Sequence, residues 1–525
     1  MYKNSRSLGE RRGALLAAVC LAQFVVALDM AVVNVALPAV RADLGFAPVD
    51  LAWVVHVYAL TFGGLLLLGG RAADLYGRRR LFALGLALFG ASSLAGGLAQ
   101  APWQLVTARA VQGAGAAALA PAALALLTVT FPEGPARVRA LGVWSGVNAV
   151  GGASGVLVGG LLTEYAGWRW VMLVNVPLTV AALAAGRVGM REGADGRLSG
   201  SRVPGGAGTV GGDAPGGAGR GDRGHRDVPG EAGRVAARGR LDVPGALLGT
   251  AGTGVLVLGV VRTDREGWTS PVTLAALAAG ALLLAAFVVV ERRVAEPLVP
   301  VRLFRSRWIS GANAFVLLVA AGQFSAFYFV SLYLQQVLHL SPAATGAAFL
   351  PFSAGMVAAT VVATRLGSRR SPRASLLAGG LAGAAGLGWF ALISPTGSVL
   401  TDVLGPSLLT AAGVGLCQAP VAVAATTGVP AAEAGAASGI LNSSRQLGGC
   451  LGVAALATVA ARHTGTATGA AALTSGYALG LGVGAGLLLG AVALAAVVLP
   501  MGPLRRPGRT TRPRSSRTRL EGTPS

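Results

Sequence analysis

Residues 69–82 read GGRAADLYGRRRLF. Apolar runs lie on both sides of this stretch, near 51–70 and 80–100. Each is close to the roughly 20 residues that cross a bilayer as a helix. The segment between them is therefore a short polar turn. Glycines at 70 and 77 permit a close turn, and Arg78, Arg79 and Arg80 suit a loop held on the cytoplasmic side. A basic turn alone, however, does not require Asp74 to stand four residues after Gly70 and three before Gly77.

The same alternation extends through most of the chain. The 525 residues are 53% hydrophobic and 12% charged, with a mean hydropathy of +0.64. A soluble domain carries about 25% charged residues, so this chain lacks the polar surface to face water. Fourteen apolar runs are counted, near 14–36, 51–70, 80–100, 104–127, 138–162, 168–187, 243–261, 271–290, 309–334, 344–366, 373–394, 400–425, 437–461 and 477–500. Only helices and closed barrels satisfy their backbone in lipid, and runs of this length are helical. The expected fold class is an all-α polytopic membrane protein. No small-residue cleavage site followed by polar sequence closes the first run, which reads as a retained helix.

Charge sets the expected orientation. Of the 43 basic residues, 36 fall on the segments that share a side with the N-terminus, and five (Arg41, Arg169, Arg262, Arg265 and Arg462) fall on the other. Cytoplasmic loops collect basic residues, which predicts cytoplasmic N- and C-termini in the plasma membrane. The same rule accounts for the net charge of +22 without nucleic acid as a partner. Lys3 is the single lysine, so no Walker A loop exists to hold ATP. Cys20, Cys417 and Cys450 lie in apolar runs and read as small buried hydrophobes, with no metal-ligand spacing among them.

The expected organisation is a cytoplasmic N-terminus (1–13), a six-helix bundle (14–187), a Gly-rich disordered cytoplasmic loop (188–242), two extra transmembrane helices (243–290), a second six-helix bundle (309–500) and a basic cytoplasmic tail (501–525). Residues 193–240 hold 16 glycines in no strict every-third pattern, so collagen is excluded. A repeat supports the two halves: GAGAAALAP (113–121) returns as GVGLCQAP (413–420), some 300 residues later.

Two charges lie where charge is expensive. Asp29 sits in LDMAVVNVALPAV (28–40) and Arg109 in LVTARAVQGAGAAALAP (105–121), both within apolar runs. Such a residue costs about 2.5–3.5 kcal/mol on insertion scales and normally faces the bundle interior toward a partner. Asp29 is the one acidic residue well inside a span, so pairing with Arg109 is expected. A pair that opens during a conformational change would move protons, because cationic neighbours and apolar burial act oppositely on a carboxylate. A pair that never opens would merely lock two helices.

These motifs carry a family resemblance. Gly70, Asp74, Gly77 and Arg78–Arg80 resemble the signature loop of the major facilitator superfamily. Arg109, Gln112, Gly113 and Gly115 resemble its Arg-x-x-Gln-Gly-x-Gly motif, and Gly155, Gly159 and Gly160 resemble the antiporter motif of its drug exporters. Val156 stands where that motif usually has proline. LDMAVVNVALP is similar to the first helix of the fourteen-helix drug:proton antiporters, the EmrB/QacA-type branch. GWRWVMLVNVP (167–177), LDVPGALL (241–248), ERRVAEPLVPVRLFRSR (291–307) and AGAASGILNSSRQLGG (434–449) also resemble that branch.

The resemblance implies a major facilitator fold and proton-coupled efflux of lipophilic drugs or antibiotics by alternating access. Asp29 and Arg109 would couple protons, and the signature loop would form a cytoplasmic gate. Candidate cavity residues are Asn34, His56, Phe324, Phe327, Tyr328, Arg445 and Gln446. The proton gradient would be the energy source, with no cofactor and no metal. The partners would be a small lipophilic substrate, protons and membrane lipid, and the protein would act as a monomer. The C-terminal half has no mid-span carboxylate, which favours neutral or monovalent substrates over dications. The rival readings are a dedicated exporter of one metabolite and a non-transporting membrane sensor. Four scattered histidines (56, 225, 339, 463) offer no catalytic constellation, so no enzyme is expected.

Overall fold

The structure is a computed structural model that describes residues 2–47, 50–131, 134–190, 242–267, 269–294, 297–366, 371–429, 433–465, 467 and 469–499. Of the Gly-rich loop only residues 188–190 and 242 are described, and the basic tail lies wholly outside the described residues, as does the middle of RLGSRRSPR (365–373). Among the described residues there are helices and no strands. The helices are α1 (Tyr2–Leu44), α2 (Trp53–Tyr76), α3 (Arg78–Gly97), α4 (Pro102–Thr130), α5 (Pro135–Tyr165), α6 (Arg169–Leu173), α7 (Asn175–Met190), α8 (Val243–Glu266) and α9 (Pro271–Arg293). They continue as α10 (Arg307–Leu332), α11 (Pro342–Ala348), α12 (Leu350–Leu366), α13 (Pro372–Phe390), α14 (Gly405–Thr426), α15 (Ala434–Thr464) and α16 (Ala470–Val498).

Twelve spans among the described residues are long and apolar enough to cross a membrane. Helices α13 and α15 complete the fourteen expected runs but are less apolar by composition. The first opens with Pro372 and Arg373 and is rich in glycine, and the second carries Asn442 to Gln446.

Prolines explain where single runs become two helices. The run at 168–187 divides into α6 and α7 at Val174, three residues before Pro177. The missing N–H of Pro177 leaves Leu173 without its usual helical donor. Likewise, the run at 344–366 divides at Phe349, just before Pro351. The run at 309–334 ends in a π-helical turn, Tyr333–Val337.

Packing separates two compact units. The first comprises 1–299 with 340–350, and the second 300–339 with 351–525. The two extra helices α8 and α9 thus belong to the first unit, and so does α11. In the first unit, α4 packs between α2 and α3, and α1 packs along α5 and α7. Asp242 caps α8 by accepting from the Gly245 amide at 2.8 Å, and the buried Glu291 of α9 accepts from the Val299 amide at 2.9 Å. In the second unit, α14 packs on α13, and α10 packs along α15 and α16.

Candidate transport site

Asp29 and Arg109 meet in the first unit. Arg109 Nη1 donates to Asp29 Oδ2 at 2.6 Å, with the aspartate fully buried and the arginine nearly so. Their helices, α1 and α4, hold them from opposite sides of the contact. Asp29 Oδ1 accepts two more bonds, from Gln112 Nε2 and Asn175 Nδ2, each at 2.8 Å. Arg109 is occupied elsewhere too: Nη1 reaches Gln112 Oε1 at 2.6 Å, and Nε reaches the Val54 carbonyl at 3.1 Å. Its guanidinium lies 4.2 Å from the centre of the Tyr58 ring, a cation–π geometry. Gln112 Nε2 also donates to Ser93 Oγ at 2.7 Å.

The network draws one or more groups from α1, α2, α3, α4 and α7. The two charges cancel and every carboxylate oxygen has a donor, which is what an apolar interior demands of a buried ion pair. Asn175, Ser93 and Tyr58 were not singled out from sequence. Asn175 opens α7 beside Pro177, so a polar residue next to a span-breaking proline was the available signal. Ser93 and Tyr58 carried none.

The motif glycines bring these helices close. A Cβ on Gly113 would lie 2.6 Å from the Tyr58 carbonyl oxygen on α2, and one on Gly115 would lie 2.9 Å from the Phe89 nitrogen on α3. Gln112, Gly113 and Gly115 therefore serve three different neighbours. Gly155 and Gly159 face α1, where added Cβ atoms would come within 2.8 Å of the Leu28 carbonyl oxygen and 2.6 Å of the Val32 carbonyl oxygen. Gly160 instead abuts the Pro342 carbonyl of α11. With Val156 in place of proline, α5 runs unbroken through this seam.

The signature loop turns at Gly77, whose φ of +98° lies in the region that favours glycine. Across that turn, Arg78 Nη2 donates to Asp74 Oδ1 at 3.2 Å, and both side chains are solvent-exposed. Arg79 and Arg80 are also exposed. A Cβ added to Gly70 would meet Pro121 at 3.7 Å, an ordinary van der Waals contact.

The described contacts of the remaining candidates lie elsewhere. Asn34 Nδ2 bonds the Met30 carbonyl on its own helix at 3.1 Å. His56 is buried and stands edge-on to Trp53, with ring centres 6.0 Å apart. In the second unit, Arg445 Nη2 donates to Gln418 Oε1 at 2.7 Å, and its neighbour Gln446 is buried. Arg445 borders a small cavity of about 20 Å³, lined also by Phe315, Val319, Gln323, Val414 and Gln418. Phe324, Phe327 and Tyr328 lie further along α10 and do not line it. Phe324 packs on Gly449, and Phe327 meets the Phe352 ring edge-on at 4.8 Å.

The architecture, with twelve described spans apolar enough to cross a membrane, is that of a polytopic membrane protein. The sequence model described as the Major Facilitator Superfamily matches residues 19–221 and 243–453. The chain belongs to that superfamily. It is 44% identical over 447 residues to the cephamycin export protein CmcT of Amycolatopsis lactamdurans, covering 85% of this chain and 84% of that protein. It is 41% identical to the puromycin resistance protein pur8 of Streptomyces alboniger, covering 86% and 82% respectively. Among solved structures it resembles a bacterial homolog of the human lysosomal transporter Spinster, with a TM-score of 0.58 at 16% identity, covering 92% of this chain and 96% of that one. That last likeness concerns the fold. The chain is thus a multi-pass membrane transporter of small molecules and not an enzyme.

Proposed function

We propose that the protein exports lipophilic drug- or antibiotic-like molecules across the plasma membrane in exchange for protons, with Asp29 as the proton carrier. The observation that carries this reading is the buried Asp29–Arg109 pair, with the carboxylate held inside an apolar bundle by side chains of α4 and α7. Such residues in membrane proteins mark ion and proton pathways. Resistance and export relatives support the outward direction. In an alternating-access cycle, Asp29 takes a proton when it faces outside and drug leaves, then gives it up inside as new drug binds. Both termini would be cytoplasmic, with Asp74 and the arginines of the signature loop acting as the gate on that side.

The test is drug-induced proton release from everted vesicles, run beside Asp29→Asn. Coupled transport that survives in Asp29→Asn rules out Asp29 as the carrier. A second reading, a dedicated exporter of one metabolite, is favoured by relatives named for single antibiotics. Resistance to several chemically unrelated drugs separates the broad exporter from the dedicated one.

A further inference from the structure

Two stretches that the transport site does not use, LDVPGALL (241–248) and ERRVAEPLVPVRLFRSR (291–307), meet at one end of the antiparallel pair α8 and α9. Asp242 caps α8 and Glu291 lies in the last turn of α9, and their exposures are only 4% and 3%. In each, the backbone satisfies one carboxyl oxygen. Asp242 Oδ1 accepts from the Gly245 amide at 2.8 Å, and Glu291 Oε2 accepts from the Val299 amide at 2.9 Å. The other two oxygens, Asp242 Oδ2 and Glu291 Oε1, are buried with no donor among the described residues. The two carboxyl groups nonetheless lie within hydrogen-bonding distance of each other.

Two carboxylates this close cannot both ionise, and a buried oxygen without a donor costs free energy. A single proton removes both problems. A carboxylic O–H on one residue donates to the unused oxygen of the other, and all four oxygens are then engaged. The charges around the pair do not substitute for that proton. Helix α8 also packs on α2, in an antiparallel register with Thr250 against Gly64 and Gly254 beside Leu60. That register brings the half-buried Arg71 and the exposed Asp74 to the level of Asp242. On α9 itself, Arg292 and Arg293 are exposed. Of these described charges, that of Asp242 is the one that acts on Glu291.

We propose that Asp242 and Glu291 form a proton-binding site separate from Asp29, in which one proton held between Asp242 Oδ2 and Glu291 Oε1 clasps the start of α8 to the end of α9. When that proton leaves for water, the pair goes from one negative charge to two and the clasp opens. Glu291 also holds the amides of Leu298 and Val299, the last two residues of the first unit before the chain passes into the second at Pro300. The shared proton therefore fixes the point at which the chain leaves the first unit. This site is independent of the efflux reading, because it needs neither a substrate nor Asp29.

The experiment follows the full chain in phosphatidylcholine nanodiscs by infrared spectroscopy as pH is raised. At about pH 6, roughly two units above where ordinary carboxyls ionise, the wild type is expected to show a carboxylic C=O band that disappears at higher pH. Glu291→Gln and Asp242→Asn are each expected to lack it, while Asp29→Asn retains it. Either amide variant suffices if the other does not fold. Thermal unfolding gives the second reading. The folded pair holds a proton that the unfolded carboxyls release, so wild-type stability is expected to fall as pH rises through the loss of the band. Each amide variant keeps the acceptor and supplies an N–H toward the facing oxygen, so it is expected to show no such step. Over the same step, hydrogen exchange of the peptide carrying Leu298 and Val299, corrected for intrinsic rate, is expected to quicken about tenfold in the wild type and not in Glu291→Gln. A band absent from the wild type, or unchanged in the amide variants, overturns the proposal. So does a band lost in Asp29→Asn, or an equal stability step or exchange change in wild type and Glu291→Gln. Stability that depends on added sodium, with no band, gives the two oxygens to a metal cation and likewise overturns it.

Discussion

The two units use the same packing device around different charges. In the first, Gly155 and Gly159 of α5 lie against Leu28 and Val32 of α1. In the second, Gly448 and Gly452 of α15 lie against Leu317 and Ala321 of α10. Laid over one another by these seams, Asp29 corresponds to Leu318 and Gly152 to Arg445. Aligning the α4 and α14 repeats at Pro121 and Pro420 places Leu408 opposite Arg109 and Ala411 opposite Gln112. The first unit therefore holds a closed ion pair where the second holds aliphatic side chains. The second holds an arginine where the first has glycine. Small residues let helices approach closely in both, so the scaffold is repeated while the chemistry is not. The difference lies in how each charge is held: Arg109 by a buried carboxylate, and Arg445 by the amide oxygen of Gln418.

The largest expected effect comes from opening the closed pair. Arg109→Met leaves Asp29 buried without its cation, and breaking a buried pair by removing one partner costs about 3–5 kcal/mol. Thermal unfolding of the detergent-solubilised protein reads this loss. Adding Asn at position 29 to that variant removes the orphaned charge and is expected to recover most of the loss. If the double variant is as unstable as Arg109→Met, the two residues act on stability separately.

Next in size is the seam that holds Asp29's helix. Gly159→Val puts a branched side chain against the Val32 carbonyl, and overpacking of this kind costs about 1–3 kcal/mol. Unfolding temperature should fall accordingly, and a tolerated valine would show that α1 and α5 are less tightly held. Asn175→Ala then removes one donor from the carboxylate, a charge-assisted bond worth about 1.5–3 kcal/mol before any water replaces it. A water that enters brings the cost below the lower figure, so this variant is expected to be the milder of the two. An unchanged unfolding temperature would show that Asn175 does not support Asp29.

These effects also mark what sequence could and could not reveal. Fourteen runs were legible because lipid forces long, apolar, self-satisfied helices, and Asp29 and Arg109 stood out because charge within such runs is rare. The glycines of 113–115 and 155–160 were legible as close-packing positions, but which neighbour each one meets depends on tertiary register. Asn175 was hidden because a neutral amide costs too little in a span to stand out. Ser93 and Tyr58 were hidden because hydroxyl and aromatic groups are common there. The helix breaks at Val174 and Phe349 followed from Pro177 and Pro351, yet hydropathy reads through both. The aromatic stretch of α10 was a reasonable wall for a cavity by composition. The small cavity beside Arg445 is lined by Phe315 and Val319, nearer the start of that helix.

The smallest expected effect is the most discriminating. Arg445→Met removes a cation whose partner is an amide, so no buried anion is left behind. Replacing a poorly compensated buried charge with an apolar side chain of similar length is often neutral or stabilising. Unfolding temperature is therefore expected to change by the equivalent of less than about 1 kcal/mol, or to rise, in contrast to Arg109→Met. Two arginines, each alone among the charges of its helix core, would then differ in stability cost because one completes the protein and the other does not. A loss as large as that of Arg109→Met would mean that Arg445 is already balanced within the protein. The asymmetry between the two units would then be one of position only.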